Sequence, residues 1–256
     1  MKELVKGKVK TVYAVDNVEH VMIFYHDKVT AGNGEKEDTI SDKGSINCQI
    51  TDILFKELEK QDIKTHCIER VGHTMLCQKV DIIPVEFVVR NIAAGSIVRQ
   101  TTLNEGKVLD FPLVEFYLKD DSKNDPLLTE DRLTLMGYDN MTVIEMKCLA
   151  VNMVLKDIFS RIGLTLVDFK LEFGYDADGN LLLADELSPD GMRLWNQGTK
   201  ESYDKDIFRK EDDGEKMIER YKEILGSLLQ IHARDDDAYN ERTMKPEYEQ
   251  PIRGPI

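Results

Sequence analysis

No stretch of the 256-residue sequence approaches the roughly 18 consecutive apolar residues that a membrane span requires. A membrane-spanning function is therefore not expected. Nor does the chain open like a secretory signal, because Met1, Lys2 and Glu3 lead straight into a strand pattern. Positive charge is in deficit, with 34 Lys and Arg against 48 Asp and Glu and a net charge of −14. That balance argues against nucleic acid or an anionic membrane as partner, since both demand a basic surface. Cysteine is scarce, and Cys48, Cys67, Cys77 and Cys148 show no C-x-x-C or other zinc spacing. They read as reduced, mostly buried thiols of a soluble cytoplasmic protein. Internal repeats and low-complexity linkers are absent too. What remains, 41% hydrophobic residues, suffices for one large core or two modest lobes.

The most informative stretch is residues 166–195, LVDFKLEFGYDADGNLLLADELSPDGMRLW. In its first half Val167, Phe169, Leu171 and Phe173 alternate with Asp168, Lys170 and Glu172, the period of a half-buried strand. Asp178-Gly179 suits a two-residue type I′ hairpin, and pairing outward from it sets Glu172 opposite Asp185. Two carboxylates across a ladder repel unless a cation lies between them. Mg²⁺ is the hard cation usually held by one or two carboxylates plus substrate phosphates. The competing reading makes both residues solvated positions on an open sheet. The apolar run Leu181–Ala184, which suits a strand covered on both faces, favours the metal.

Three motifs, VDFKLEFG, ADELSPDGMRLW and the earlier IIPVEFVVRNIAAGS, closely resemble the SAICAR synthetase family, the phosphoribosylaminoimidazole-succinocarboxamide synthases, in its short single-function bacterial form. The resemblance runs from about Leu4 to about Leu229. It implies an α+β, two-lobed fold, distantly like kinases and ATP-grasp proteins. An N-terminal antiparallel β lobe with a helix would meet a larger α+β C-terminal lobe, with the nucleotide site in the cleft between them. The implied activity is that of an ATP-dependent carbon–nitrogen ligase of de novo purine biosynthesis. It joins L-aspartate to the carboxylate of carboxyaminoimidazole ribotide (CAIR), giving SAICAR, ADP and phosphate through an acyl phosphate.

Taken in order, residues 1–84 form the expected ATP-binding lobe. Lys6, Lys8 and Lys10 alternate around Gly7, so their ammonium groups suit either a triphosphate or the protection of an edge strand. The resemblance favours the first, making Lys8 and Lys10 phosphate ligands. Residues 26–44 read as one long binding loop, in which the family resemblance places Asp27, Thr30, Ala31, Gly32 and Gly34 at the active-site mouth. Residues 45–61 carry Ile46, Ile50, Ile53, Leu54 and Leu58 at helical spacing. Strands are expected over 65–70 and 74–80, with His66 and His73 structural rather than ligands.

Pro84 marks the crossing into residues 85–231, the expected substrate and metal lobe. By resemblance Glu86 takes the ribose hydroxyls and Lys119 lies near the ATP phosphates. Arg90 and Ser96 hold the ribotide's phosphate or carboxylate, Ser96 opening a helix whose N-terminus suits an anion. Asp125 matches an acidic position of the family. Thr142 and Glu145 suggest a capping box for a helix over 142–162, ended by Gly163. Asp190 and Arg193 contact the ribotide by resemblance. Lys170 and Asp168, one and two pleats from the metal pair, are the expected catalytic residues that orient its carboxylate and the amine. A final helix is expected over 214–231. The polar stretch 232–256 admits a tail or an arm across a homodimer interface, and the tail is preferred.

Two rivals compete with the ligase. A small-molecule kinase would use the same Mg²⁺–ATP site and ignore aspartate. A calcium-binding or nucleotide-sensing module is suggested by Asp176, Asp178 and Asn180, but the run fails EF-hand spacing.

Overall fold

The computed structural model describes residues 1–139 and 141–243, with side chains described except at 33 and 235–243. Its first lobe begins as a meander of β1 (Lys2–Lys6), β2 (Lys10–Ala14) and β3 (His20–Tyr25). Segment 26–44, expected as one loop, instead folds into a ribbon of β4 (Lys28–Ala31) and β5 (Lys36–Thr39). Helix α1 (Lys43–Glu59) follows, and β6 (Cys67–Val71) and β7 (Thr74–Gln78) complete an antiparallel sheet of order β1-β2-β3-β7-β6. The spacing along α1 does what it requires, burying Ile46, Ile50, Ile53, Leu54 and Leu58. Its first turn comes so close to β3 that a Cβ on Gly44 would lie 2.5 Å from the Tyr25 carbonyl oxygen.

The chain crosses at β8 (Asp81–Ile82) and Pro84 into β9 (Val85–Ile92). There follow α2 (Ser96–Gln100), β10 (Val108–Leu118), β11 (Leu127–Leu128), α3 (Glu130–Leu135) and α4 (Met141–Arg161). The chain then forms β12 (Leu164–Tyr175), β13 (Leu181–Ala184), β14 (Met192–Asn196), α5 (Asp206–Glu211) and α6 (Gly214–Thr243). The second sheet has the order β11-β10-β9-β12-β13, with β14 and β8 also paired to β12. Strand β12 is its spine: β9 and β14 flank its first two-thirds, and β13 and β8 flank its end. Covered on both faces, it buries every residue through Gly174 except Thr165 and Lys170. Such a position is costly for Asp168 and Glu172, and their partners must compensate for it.

The two lobes share one core. It runs from Ile50 and Leu54 on α1 through Phe87 and Phe173 to Phe159 on α4 and Tyr221 on α6. Phe87 meets Phe116 and Phe173 edge-on, with centroids 5.8 and 5.4 Å away. Strand β13 also stitches the lobes directly. Leu183 accepts from the His66 amide at 2.9 Å and donates to the Lys64 carbonyl at 3.1 Å.

Several expectations change here. The hairpin after β12 is a three-residue loop in which Asp176 N–H donates to the Asn180 carbonyl and Gly179 N–H to the Asp176 carbonyl. Gly179 is left-handed at φ 81°, the pattern of a type I turn closed by a bulge rather than type I′. The cause is local: the Asp176 carboxylate accepts from the backbone N–H groups of Asp178 and Asn180 and from the Asn180 side chain. Register therefore slips by one, and Glu172 faces Ala184 instead of Asp185. The alternation in β12 also breaks. Pairing with β14 shifts between Leu166 and Asp168, so Val167 joins Ile92 and Ala94 in a small second cluster while Leu166 sides with Phe169.

Helix α4 starts one residue before Thr142, which sits in its first turn rather than at its cap. The sequence reading omitted the short helices α3 and α5. Helix α6 runs past Ile231 to Thr243, and His232 on it contacts Glu57 of α1 at 2.5 Å. No proline occurs before Pro246 to stop it. Residues 244–256 of the expected tail lie outside the described residues.

Helix α4 is held to β9 by a buried reciprocal amide pair. Asn91 Nδ2 donates to Asn152 Oδ1 at 2.8 Å, and Asn152 Nδ2 returns to Asn91 Oδ1 at 3.0 Å. Asn152→Leu strands the Asn91 amide in an apolar setting and is expected to cost about 1–3 kcal/mol of stability in urea titrations. A loss under about 0.5 kcal/mol would contradict this role.

Candidate functional site

The C-terminal half of β12 and the segment after β13 bring Glu172 and Asp185 together, by a different route from the expected cross-strand pair. Asp185 leaves β13 in the left-handed region at φ 62°. Its carboxylate there meets the Lys10 ammonium, which also contacts Glu186 at 2.9 Å. Lys119, just past β10, reaches Glu172 at 2.5 Å. Lys170 lies between the two ends of the cleft, 2.8 Å from Glu86 and 3.9 Å from Glu172.

The electrostatics separate the two carboxylates. Burial, with Asp185 beside it, raises Glu172 above the ordinary range. Burial opposes charge on Asp185 as well, but Lys10 and Lys170 outweigh it and hold that carboxyl down at about 2. Lys10 and Lys170 are partly withdrawn from solvent, a penalty that Asp185 and Glu186 offset for the first and Glu86 and Glu172 for the second. Both ammonium groups are held charged. Two carboxylates with only oxygen donors, Glu172 buried and Asp185 half-buried, fit a hard divalent cation. The described residues contain no cluster of three or more His, Cys, Asp or Glu able to hold a metal. An ion at Glu172 and Asp185 would therefore draw further ligands from phosphate and water.

Next to this cluster lies a cavity of about 350 Å³ lined by six cationic side chains, Arg90, Arg99, Lys170, Arg193, Lys205 and Arg209, against the three carboxylates Glu86, Asp168 and Asp190. A chain of net charge −14 thus concentrates cations where an anion would sit. A second cavity, about 670 Å³, adjoins it at Arg99, Arg193 and Arg209 and is lined by Lys8 and the 30–34 loop of the β4–β5 ribbon. Lys8 itself pairs at the surface with Asp121, at 3.1 Å.

Arg90 and Arg193 are organised by Asp168. Arg90 is buried, donating Nε to Glu115 at 2.6 Å, Nη1 to Asp168 at 3.1 Å and Nη2 to Ser96 at 2.6 Å. Arg193 donates Nη1 to both Asp168 oxygens, at 3.0 and 2.9 Å, and Nε to Asp206 at 3.2 Å. Gly95 makes room for that guanidinium, since a Cβ there would lie 2.7 Å from Arg193 Nη2. Helix α2 spans the five residues Ser96–Gln100. Asp125 proves to be a loop brace, its carboxylate accepting from the Asp120 amide at 2.9 Å.

Asp190 meets the buried Lys43 at 2.5 Å and the Tyr221 hydroxyl at 2.9 Å. Burial opposes its charge, yet Lys43 and Lys205 hold it well below the usual carboxylate value.

Lys43, Arg99, Glu186, Lys205, Asp206 and Arg209 were not foreseen. For Lys205 and Arg209 a signal existed, because their i,i+4 spacing puts both on one helical face. Lys43 gave none, since its burial depends on residues more than a hundred positions away. Among the residues weighed for ligand roles, His66 is buried against Phe55 and His73 packs on Phe24. The acidic run at Asp176 is accounted for by the hairpin turn it closes.

Fold and site together define a two-lobed α+β protein whose cleft joins a lysine-neutralised carboxylate pair to an arginine-rich cavity. A sequence model of the SAICAR synthetase family matches residues 3–228. A phosphoribosylaminoimidazole-succinocarboxamide synthase of Finegoldia magna is 45% identical over 232 residues, 89% of this chain and 99% of that protein. A synthase of the same name from Bacillus cereus is 44% identical over 229 residues, 88% of this chain and 95% of the relative. Among solved structures, a SAICAR synthetase (Type-2) in complex with ADP superposes with a TM-score of 0.84 at 40% identity, covering 88% of this chain and 96% of that one. The chain belongs to the SAICAR synthetase family.

Asp204 fixes the turn that aims α5 at Arg193, accepting from Leu194 N–H at 2.8 Å and Asp206 N–H at 2.7 Å. Burial, with Asp206 nearby, raises its carboxyl to about 6. The folded chain then binds this proton more tightly than the unfolded chain, so stability falls as pH rises from about 4 to about 6. Between pH 4.5 and 7 the wild type should lose about 2 kcal/mol relative to Asp204→Asn. Parallel urea titrations of the two proteins at those pH values measure it, and a constant difference would refute it.

Proposed function

We propose that this chain joins L-aspartate to the carboxylate of carboxyaminoimidazole ribotide, releasing SAICAR, ADP and phosphate, as an ATP-dependent ligase of purine biosynthesis. The observation that carries the reading is the adjacency of the Glu172–Asp185 pair and its three lysines to the arginine-rich cavity. One half suits a metal-bound triphosphate and the other a phosphorylated, carboxylated substrate. The ADP complex of a relative supports a nucleotide in this fold.

In this reading residues 1–84 are the ATP lobe, residues 85–231 the substrate and metal lobe, and 232–256 an appended segment. Lys8, Lys10 and Lys119 bind the phosphates and Glu86 the ribose hydroxyls. Glu172 and Asp185 hold Mg²⁺, which when bound supplies charge neutralisation to the triphosphate. Ser96, Asp190 and Arg193 bind the ribotide. Arg90, which Glu115, Asp168 and Ser96 fix in place, orients the ribotide's phosphate or carboxylate beside Arg193.

A carboxylate is a poor electrophile toward an amine. Transfer of the γ-phosphoryl group to it gives an acyl phosphate, in which phosphate becomes the leaving group when the aspartate nitrogen forms the new C–N bond. Lys170, in reach of both ends of the cleft, steadies the ribotide carboxylate during phosphoryl transfer. Asp168 holds the two arginines that orient the ribotide. The free thiols, with Cys48 and Cys67 pushed up to about 12 by burial, support a reducing cytoplasm. No described helix is long and apolar enough to cross a membrane. A homodimer belongs to the same proposal, read by sedimentation as a mass near twice 29.4 kDa.

Phosphate release from ATP and Mg²⁺ should require both CAIR and L-aspartate. Glu172→Gln should lower it by about 100-fold or more. Release without aspartate would indicate a kinase or ATPase instead, and full activity of Glu172→Gln would remove the metal assignment.

A further inference from the structure

The lysines of the cleft hold the very oxygens that a divalent cation would take. Lys10 meets Asp185, and Lys119 meets Glu172 at 2.5 Å. Each lysine occupies one oxygen of its carboxylate, so an ammonium and a metal ion compete for the same charge and an ion that takes the bonded oxygen opens the bridge. The two lysines differ in what they have to fall back on. Lys10 keeps a second carboxylate, Glu186 at 2.9 Å, which the Ser188 hydroxyl steadies by donating to it at 2.7 Å. Lys119 is one-third exposed at its side chain, and Glu172 is its ion-pair partner among the described residues.

We infer that Lys10 and Lys119 are place-holding counter-ions of the carboxylate pair, which make divalent metal and nucleotide bind together. Metal alone would have to share both carboxylates with ammonium groups or displace them, weakening the pairing of Lys119, for the gain of two protein ligands. A nucleotide alone would meet lysines committed to carboxylates. When both arrive, the metal takes the carboxylate oxygens and the phosphates take the lysines, so no charge is stranded. Glu186 is a positioning residue in this exchange, retaining Lys10 at the cleft while Lys119 swings to the phosphates. Linkage requires the coupling to be reciprocal: metal strengthens nucleotide binding by the factor by which nucleotide strengthens metal binding.

The inference rests on the metal reading proposed above, and two binding measurements separate them without using turnover. The first compares ADP affinity with Mn²⁺ and with EDTA, by calorimetry, for wild type and Glu172→Gln. Strengthening by Mn²⁺ in the wild type that is lost in Glu172→Gln supports the metal site, and no strengthening in the wild type removes it. The second titrates Mn²⁺ alone onto nucleotide-free wild type, Lys119→Met, Lys119→Gln and the double variant Glu172→Gln/Lys119→Met, each confirmed folded by circular dichroism. Both single variants should bind Mn²⁺ at least about tenfold more tightly than wild type, a free-energy gain of about 1.4 kcal/mol. The double variant should lose that gain. If the first result holds and the single variants bind Mn²⁺ no better than wild type, the counter-ion role is overturned while the metal site stands.

Discussion

Two like charges brought together in a buried cleft, Glu172 and Asp185, are the constraint on which the rest of the structure depends. Neither carboxylate is tolerable there alone, because burial penalises the ion and each penalises the other. Three lysines from three separate elements meet that demand: Lys10 from β2, Lys119 from the end of β10 and Lys170 from β12. The first belongs to the N-terminal lobe and the others to the C-terminal lobe. Neutralising the pair therefore draws on both lobes. The shared core and the Leu183 hydrogen bonds to residues 64 and 66 supply the apolar and backbone parts of the contact between them.

The same logic extends along β12 at two-residue steps. Asp168, buried on the same face as Lys170 and Glu172, is held between Arg90 and Arg193, and Asp206 holds the far side of Arg193. Each guanidinium is thereby fixed in place before any ligand arrives, which is the preorganisation that oriented binding needs. An acidic protein can in this way serve anionic substrates. Its excess negative charge lies elsewhere, and the cavity gathers six cations against three carboxylates.

Much of this was legible beforehand, for identifiable reasons. The apolar spacing of α1, the long strand after α4, the crossing at Pro84 and the family-like motifs all follow from patterns a few residues long, and the structure contains each element. The site residues on β12 were visible because a strand repeats every two residues. The pairing between Glu172 and Asp185 was anticipated through a mistaken geometry. A type I′ turn would have set them across a ladder, but the side chain of Asp176 builds a longer turn and slips the register. The carboxylates meet because Asp185 turns left-handed as it leaves β13. Val167 shows the same limit, since one extra residue opposite β14 reverses which face it occupies.

The sequence by itself determined the main helices and strands and the residues of the central hairpin, because those depend on local propensity and periodic burial, and its motifs pointed to the family and with it the α+β class. Only the tertiary structure decided the partners. Lys43 against Asp190 and Lys10 against Asp185 and Glu186 are contacts between distant segments. No local pattern encodes them, because the attraction that offsets the desolvation of these charges arises only when opposite charges from distant segments meet, once the lobes have packed.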